Sequence, residues 1–219
     1  ATQQTDLISS DVMDYVRGKQ VGLEVNNLDN NGQTKGWRVR STVLGTIVSS
    51  TPRHSKAPNF SYQVNPAAGG GATYAAYVAN NANNRRAAVF VGANAGMFHA
   101  FDANPNVNQN GGRELFAYVP RSTYPYLSEL TNPEYTHRYF VDGPVVEGDV
   151  YLNGAWKTVV MGSSGAGPAG LFALDVTAPE AFDSTKVLWD ITPAEEPDLG
   201  KVMGNGYIGS VKWGANGGK

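Results

Sequence analysis

The chain has 219 residues, 17 of them basic and 19 acidic, so it lacks the excess of positive charge that nucleic-acid binding requires. It contains no cysteine, which excludes disulfides, thiolate metal sites and cysteine nucleophiles. Its 26 glycines, 12 prolines and 11% aromatic residues favour many short strands joined by tight turns. No apolar run approaches the roughly 20 residues of a membrane-spanning helix.

Two short helices are predicted. The first covers residues 6–17, where Ile8, Val12 and Val16 fall at helical spacing and Gly18 ends the pattern. The second covers residues 126–130, between Pro125 and Pro133. Everything else is predicted to be strand and turn.

Short segments rich in valine and aromatic residues fill most of the chain, and glycine, asparagine and proline separate them. This alternation predicts an all-β fold. Exposed polar loops are predicted at 26–33, 65–73, 80–84, 104–112 and 195–200. The predicted strands are 37–40, 42–48, 60–64, 88–92, 97–101, 114–119, 145–151, 156–161, 171–176, 187–190 and 208–213.

A degenerate internal repeat indicates the type of β fold. Residues 89–102 read as strand, glycine turn, strand and aspartate, and residues 159–175 repeat this order about 70 positions later. Each copy leads into a further strand with an aromatic residue, which is the pattern of a propeller blade. Residues 202–213 resemble the start of another blade. We therefore predict one domain over residues 1–219, with a helical lead-in at 1–18 and about three to four blades at 37–219.

An ordered set of motifs resembles the PilC/PilY proteins of type IV pili. The longest is Phe-Val-Gly-Ala-Asn-Ala-Gly-Met-Phe-His-Ala-Phe-Asp at 90–102. Similar segments precede and follow it in the order that the family shows. They are Tyr-Val-Arg-Gly at 15–18, the stretches 44–52, 114–120 and 137–143, Asp149, Trp-Lys-Thr at 156–158, and Leu-Phe-Ala-Leu-Asp-Val-Thr at 171–177.

The resemblance implies part of a quinoprotein-like β-propeller, from the C-terminal half of a longer protein that continues beyond Lys219. It implies export through the periplasm to the outer membrane, the cell surface or the pilus tip. The implied role is non-enzymatic: pilus assembly, twitching motility and adhesion. Expected partners are minor pilins or other pilus-tip subunits, the remainder of the same chain, and host or abiotic surfaces.

Two departures from the family limit this expectation. Lys19 follows Arg17 and Gly18, so the chain has no Arg-Gly-Asp motif. The family's aspartate-rich calcium loop is also missing from this sequence. We therefore expect no cofactor within this segment, although calcium remains possible in the intact protein.

Two loops have oxygen donors at alternate positions, as calcium loops do. Asp29 and Asn31 belong to the first, where Arg38 replaces the bidentate glutamate expected at its twelfth position. Asp102, Asn104 and Asn106 belong to the second. Because each loop has only one or two carboxylates, solvated loop tips are the favoured interpretation of both.

Other candidates for chemistry are equally open to a structural explanation. Residues 165–170 fit Gly-x-Gly-x-x-Gly, but a strand rather than a helix is predicted to follow. Ser164 lies in an incomplete nucleophile elbow, and no histidine can be assigned to it. His137, Asp142 and Asp149 form a third cluster. The favoured interpretation is a tight turn at Asp142 and Gly143, with Asp149 either facing solvent or capping a neighbouring strand. No catalytic, cofactor or metal residue is assigned.

Two further functions share the propeller pattern. A quinone-cofactor dehydrogenase would need a polar funnel, a calcium site and a catalytic carboxylate, which cannot be assembled from these residues. A periplasmic or outer-membrane assembly scaffold matches the fold but not the ordered motifs.

Overall fold

Eight strands form two four-stranded antiparallel sheets, each with its strands in sequence order. The structure is a computed structural model and describes residues 9–19, 36–64 and 70–209. The first sheet contains β1 (Arg53–Ser55), β2 (Ala88–Ala93), β3 (Met97–Asp102) and β4 (Glu114–Tyr118). The second contains β5 (Val145–Leu152), β6 (Ala155–Ser163), β7 (Leu171–Asp175) and β8 (Val187–Ile191).

Each sheet has the size and strand order of one propeller blade, which confirms the predicted fold class. The described ranges therefore contain two blades, fewer than the three to four expected. The difference arises because the predicted strands at 37–40, 42–48 and 60–64 do not form, and residues 210–213 of the last predicted strand lie outside the described residues.

Two α-helices and five 3-10 helices accompany the sheets in the described residues. Helix α1 (Ser10–Val16) confirms the predicted N-terminal helix, and the side chain of Ser9 caps it by accepting a hydrogen bond from the amide of Val12. A 3-10 helix at Arg121–Thr131 covers the second predicted helix. The others are Tyr62–Val64, Val107–Gln109, Pro179–Ala181 and Ser184–Lys186.

Helix α2 (Gly71–Asn84) was not predicted, because its glycines and asparagines were interpreted as the loops 65–73 and 80–84. The sequence does contain evidence for this helix: five alanines have high helix propensity, and the two buried side chains Tyr74 and Asn81 lie seven residues apart, on one helix face. Gly70 precedes it in the left-handed conformation, with φ of 77°.

Seven of the predicted strands are confirmed with small shifts at their ends, namely β2 to β8. The predictions at 37–40, 42–48 and 60–64 are wrong: the first two segments form no strand, and the third ends in a 3-10 helix. These segments have β propensity but no strand partner, since isolated contacts such as Arg38 N–H to Thr131 O hold their backbone. Residues 208–209 are not in a strand, and 210–213 lie outside the described residues, as does the predicted loop at 26–33.

The core lies where the two sheets face each other. Phe90 and Phe98 of the first sheet and Phe172 of the second are fully buried, and the rings of Phe98 and Phe172 meet edge to face with centroids 5.2 Å apart. Helix α1 closes one side with Tyr15 and Val16. This apolar contact fixes the two blades against each other and so positions the polar residues around it.

Candidate functional site

Asp149 lies on β5 and is buried, so the alternative in which it faces solvent is wrong: the Tyr74 and Thr158 side chains cover it. Its Oδ2 accepts a hydrogen bond from the Tyr74 hydroxyl at 2.7 Å, and its Oδ1 accepts one from the Thr158 hydroxyl at 2.7 Å. Burial raises the pKa of Asp149, although these two hydrogen bonds oppose the shift. The residue therefore joins helix α2 to the second sheet.

Asp142 precedes β5 and is 1% exposed. Its Oδ1 accepts hydrogen bonds from the Ser49 amide at 3.1 Å and from the Asn94 side chain at 3.2 Å. Its Oδ2 has no hydrogen-bond partner among the described residues. Asp142 thus links the segment that follows the 3-10 helix Arg121–Thr131 to the turn between β2 and β3.

His137 is exposed, and its Nε2 is 2.8 Å from the Thr46 hydroxyl. The three members of the predicted cluster therefore have separate hydrogen-bond partners, and each holds a different pair of segments together. No group of three or more histidine, aspartate or glutamate side chains in the described ranges is arranged to hold a metal ion.

The second candidate calcium loop is a series of side-chain turns. Oxygens of Asp102, Asn104 and Asn106 accept hydrogen bonds from the backbone amides of Asn104, Asn106 and Asn108 respectively, each at 2.9 Å. The alternation of oxygen donors is therefore explained by backbone turns. The first candidate loop, with Asp29 and Asn31, lies outside the described residues.

The Gly-x-Gly-x-x-Gly segment is the loop between β6 and β7, so a strand follows it as expected. The Ser164 amide donates to the Gly170 carbonyl at 3.1 Å, which closes the loop. The Ser164 hydroxyl is buried and 2.8 Å from the Ser122 hydroxyl. The dinucleotide motif requires a helix at the position where β7 follows, and the side-chain partner of Ser164 among the described residues is a hydroxyl.

A buried ionic network between the sheets was missed by sequence reasoning. Arg85, at the end of α2, donates to the Ser55 hydroxyl at 2.6 Å and to the Val176 carbonyl at 2.9 Å. Ser55 in turn donates to Glu147 of β5, which also pairs with Arg53 at 3.2 Å. These residues are far apart in sequence and follow no motif, so the sequence carries no signal for the network.

A second polar link joins the outer strands. The hydroxyl of Tyr118 and the amide of Arg121 both donate to Oδ2 of Asp190 on β8, the latter at 2.8 Å. Burial raises the pKa values of Tyr118 and of Asp190. Arg121 also pairs with Glu195 at 2.6 Å, and hydrogen bonds from Thr192 and Arg121 lower the pKa of Glu195 to about 2.

A family model of a β-propeller domain matches most of this chain. Residues 44–212 match the family model described as the PilY1 beta-propeller domain. The chain belongs to this PilY1 family.

Curated PilY1 relatives match over nearly all of the chain. The type IV pilus biogenesis factor PilY1 homolog of Xylella fastidiosa is 39% identical over 209 residues, which is 94% of this chain and 16% of the relative. The type IV pilus biogenesis factor PilY1 of Pseudomonas aeruginosa is 38% identical over 201 residues, which is 90% of this chain and 15% of the relative. The chain therefore spans only a small part of its PilY1 relatives.

One solved PilY1 structure also matches. The crystal structure of the Pseudomonas aeruginosa PilY1 C-terminal domain gives a TM-score of 0.49 at 36% identity, covering 68% of this chain and 26% of that one. Separately, neither α-helix of the described residues has the length and apolarity needed to cross a membrane.

Proposed function

We propose that this chain is a non-enzymatic assembly and adhesion module of type IV pili. The observation that carries the proposal is the match of residues 44–212 to the PilY1 propeller family, whose curated relatives are named type IV pilus biogenesis factors. In this proposal the propeller presents its loops to minor pilins or other pilus-tip subunits, to the remainder of the same chain, and to host or abiotic surfaces.

The geometry of the described residues supports a binding role. Two polar links and one apolar interface hold the sheets as a rigid unit, while the 104–112 loop is held in a defined shape by its own side chains. Rigid sheets that carry ordered loops are the usual basis of recognition surfaces. The proposed location is the cell surface, at the pilus tip or the outer membrane, reached through the periplasm.

Deletion and complementation in the parent organism test the proposal. The deletion strain receives the full gene or the gene without codons for residues 44–212, and surface pili and twitching motility are scored. The proposal expects the full gene alone to restore both. Immunoblotting of surface fractions verifies that the shortened protein is exported. Normal pili and motility in the deletion strain, or full rescue by an exported shortened protein, would contradict it.

A further inference from the structure

A small hollow of about 240 Å³ lies beside the start of β5, and we call it the Asp142 hollow. The described residues that line it are Ser49, Thr51, 142–144, 165–166 and 203–205. Two of these segments are packed tightly together, because a Cβ atom on either Gly143 or Gly165 would clash with the backbone of the other. A ligand therefore meets a preformed site and bears little cost of ordering it.

Asp142 brings to this hollow a carboxylate with half of its hydrogen-bonding capacity unused. A carboxylate can accept about four hydrogen bonds, two on each oxygen. Oδ1 accepts two, from the Ser49 amide and the Asn94 side chain. Oδ2 is buried and accepts none from the described residues, and none of their ion pairs involves Asp142. A buried oxygen in this state gains strongly from a charged donor.

The single free oxygen determines which donor fits. Arginine binds a carboxylate best through both oxygens at once, but Oδ1 is already occupied. Calcium takes about six to eight oxygen ligands, commonly several carboxylates, whereas Asp142 is the one acidic residue among the described residues of the lining. A lysine ammonium is a compact charge that can pair with one carboxylate oxygen. The hollow therefore suits lysine best.

The other lining residues fit the rest of a lysine side chain. Ser49, Thr51 and Asn205 carry side-chain oxygens for the remaining N–H donors of the ammonium. Pro144 and Met203 offer apolar surface to its methylene stem. No lysine, arginine or histidine is among the described residues that line the hollow.

Lys201 lies next to the hollow without filling it. Its Nζ donates to the carbonyl of Ala166, a lining residue, at 2.7 Å, and leaves Oδ2 of Asp142 without a donor. Because Lys201 is exposed, solvent and salt screen its repulsion of a second ammonium. The backbone at this wall thus already accepts hydrogen bonds from an alkylammonium group.

The mouth of the hollow has the character of a protein interface. Met203 and Tyr207, on the segment that supplies one wall, are 60% and 89% exposed. Methionine and tyrosine are enriched at protein–protein interfaces, and the flexible methionine side chain can move to admit a ligand. Such surroundings favour a lysine carried by a polypeptide over a free amine.

We propose that the Asp142 hollow binds a lysine side chain of a partner protein. The ammonium donates to Oδ2 of Asp142, and the methylene stem packs against Pro144 and Met203. The backbone around the lysine covers Met203 and Tyr207. The proposal rests on the hollow alone and not on the proposed pilus role, so either can fail without the other.

Titration of the ¹⁵N-labelled chain with the blocked pentapeptide Gly-Leu-Lys-Leu-Gly tests this inference. The same peptide with an acetylated lysine lacks the charge, and a peptide with arginine in its place has a charge of different shape. We expect the lysine peptide to shift the amide signals of Gly143, Gly165 and Asn205, and to bind about tenfold more tightly than the acetylated peptide. The arginine peptide should bind with an affinity between these two.

Two variants locate the binding. Asp142→Asn keeps an oxygen for the Ser49 amide but replaces the free oxygen with an amide donor, so it should weaken the lysine peptide about tenfold. Asn205→Asp adds a carboxylate to the wall and should tighten binding about threefold or more. Asn108→Asp, on an exposed loop outside the hollow, is the matched control and should leave the affinity unchanged.

Melting temperatures verify that each variant is folded. The proposal would be overturned by equal affinity for the lysine and acetyl-lysine peptides, by an arginine peptide or n-butylamine that binds as tightly as the lysine peptide, or by unchanged binding to folded Asp142→Asn. If Asp142→Asn does not fold, Asn205→Asp decides, and an affinity no higher than that of Asn108→Asp would also overturn it.

Discussion

The buried carboxylate of Asp149 predicts a pH effect on stability. Burial raises its pKa in the folded chain above the value of about 3.9 for an exposed aspartate, so the folded state holds the proton more tightly. Its contribution to stability is therefore highest below the unfolded pKa and falls as the pH rises through the folded pKa. Asp149→Asn should thus gain stability relative to the wild type as the pH rises from about 4 to about 7, measured by urea unfolding.

Two further variants separate this charge effect from the loss of hydrogen bonds. Asp149→Ala leaves the buried Tyr74 and Thr158 hydroxyls without their acceptor and should cost about 1–3 kcal/mol near pH 4. This cost should shrink as the pH rises, in parallel with the profile of Asp149→Asn, because only the wild type has the titrating carboxyl. Asp198→Asn removes an exposed carboxylate and should leave the pH profile of the wild type unchanged. Parallel pH profiles for Asp149→Asn and the wild type would show that burial does not control this group.

At the scale of single elements, β2 packs closely against the segment that precedes β5, and Gly92 is the residue at the point of contact. Its amide donates to the Ser50 hydroxyl at 2.8 Å, and a Cβ on Gly92 would clash with the backbone carbonyl of Val141. Gly92→Ala should therefore cost about 1–3 kcal/mol, since neither backbone can move without disturbing a sheet. Gly200→Ala is the matched control, because the described residues leave open space there, and its effect should stay within about 0.5 kcal/mol. Thermal unfolding of both variants measures the difference, and equal melting temperatures would refute the tight fit at Gly92.

Elements with a local signal were predictable from the sequence. The β2–β3 and β6–β7 pairs were found because valine and aromatic residues flank a glycine turn, and Gly96 indeed has φ of 90°. The strand β1 was not found, since Arg53, His54 and Ser55 carry no hydrophobic alternation. The residues 37–48 have strand-like composition, but strand formation requires a partner edge that the sequence does not specify.

At the scale of the whole molecule, the Arg85 network holds the two sheets together. Arg85→Met removes the donor to Ser55 and to the Val176 carbonyl, and leaves buried Glu147 with the half-exposed Arg53. Breaking a buried ionic network in this way should cost about 3–5 kcal/mol. Arg113→Met, which changes an exposed arginine, should stay within about 0.5 kcal/mol. Urea unfolding of both variants provides the comparison, and a similar midpoint for the two would contradict the role of the network.

The site could be predicted less well than the fold because its contacts are long-range. Asp142 and Asp149 were singled out from the sequence, but their partners Asn94 and Tyr74 lie 48 and 75 positions away and could not be named. The glycine-rich loop at 165–170 was interpreted correctly because the identity of the element that follows it is a local property.

The strand order has a consequence for how the chain folds as it emerges from synthesis or export. Each strand pairs with its neighbour in sequence, so the first sheet ends at Tyr118, before any residue of the second has appeared. If the chain emerges with its N-terminus first, the first sheet can therefore form before the residues of the second sheet have emerged. The Arg85 network and the contact between Phe98 and Phe172 form later, when the second sheet docks.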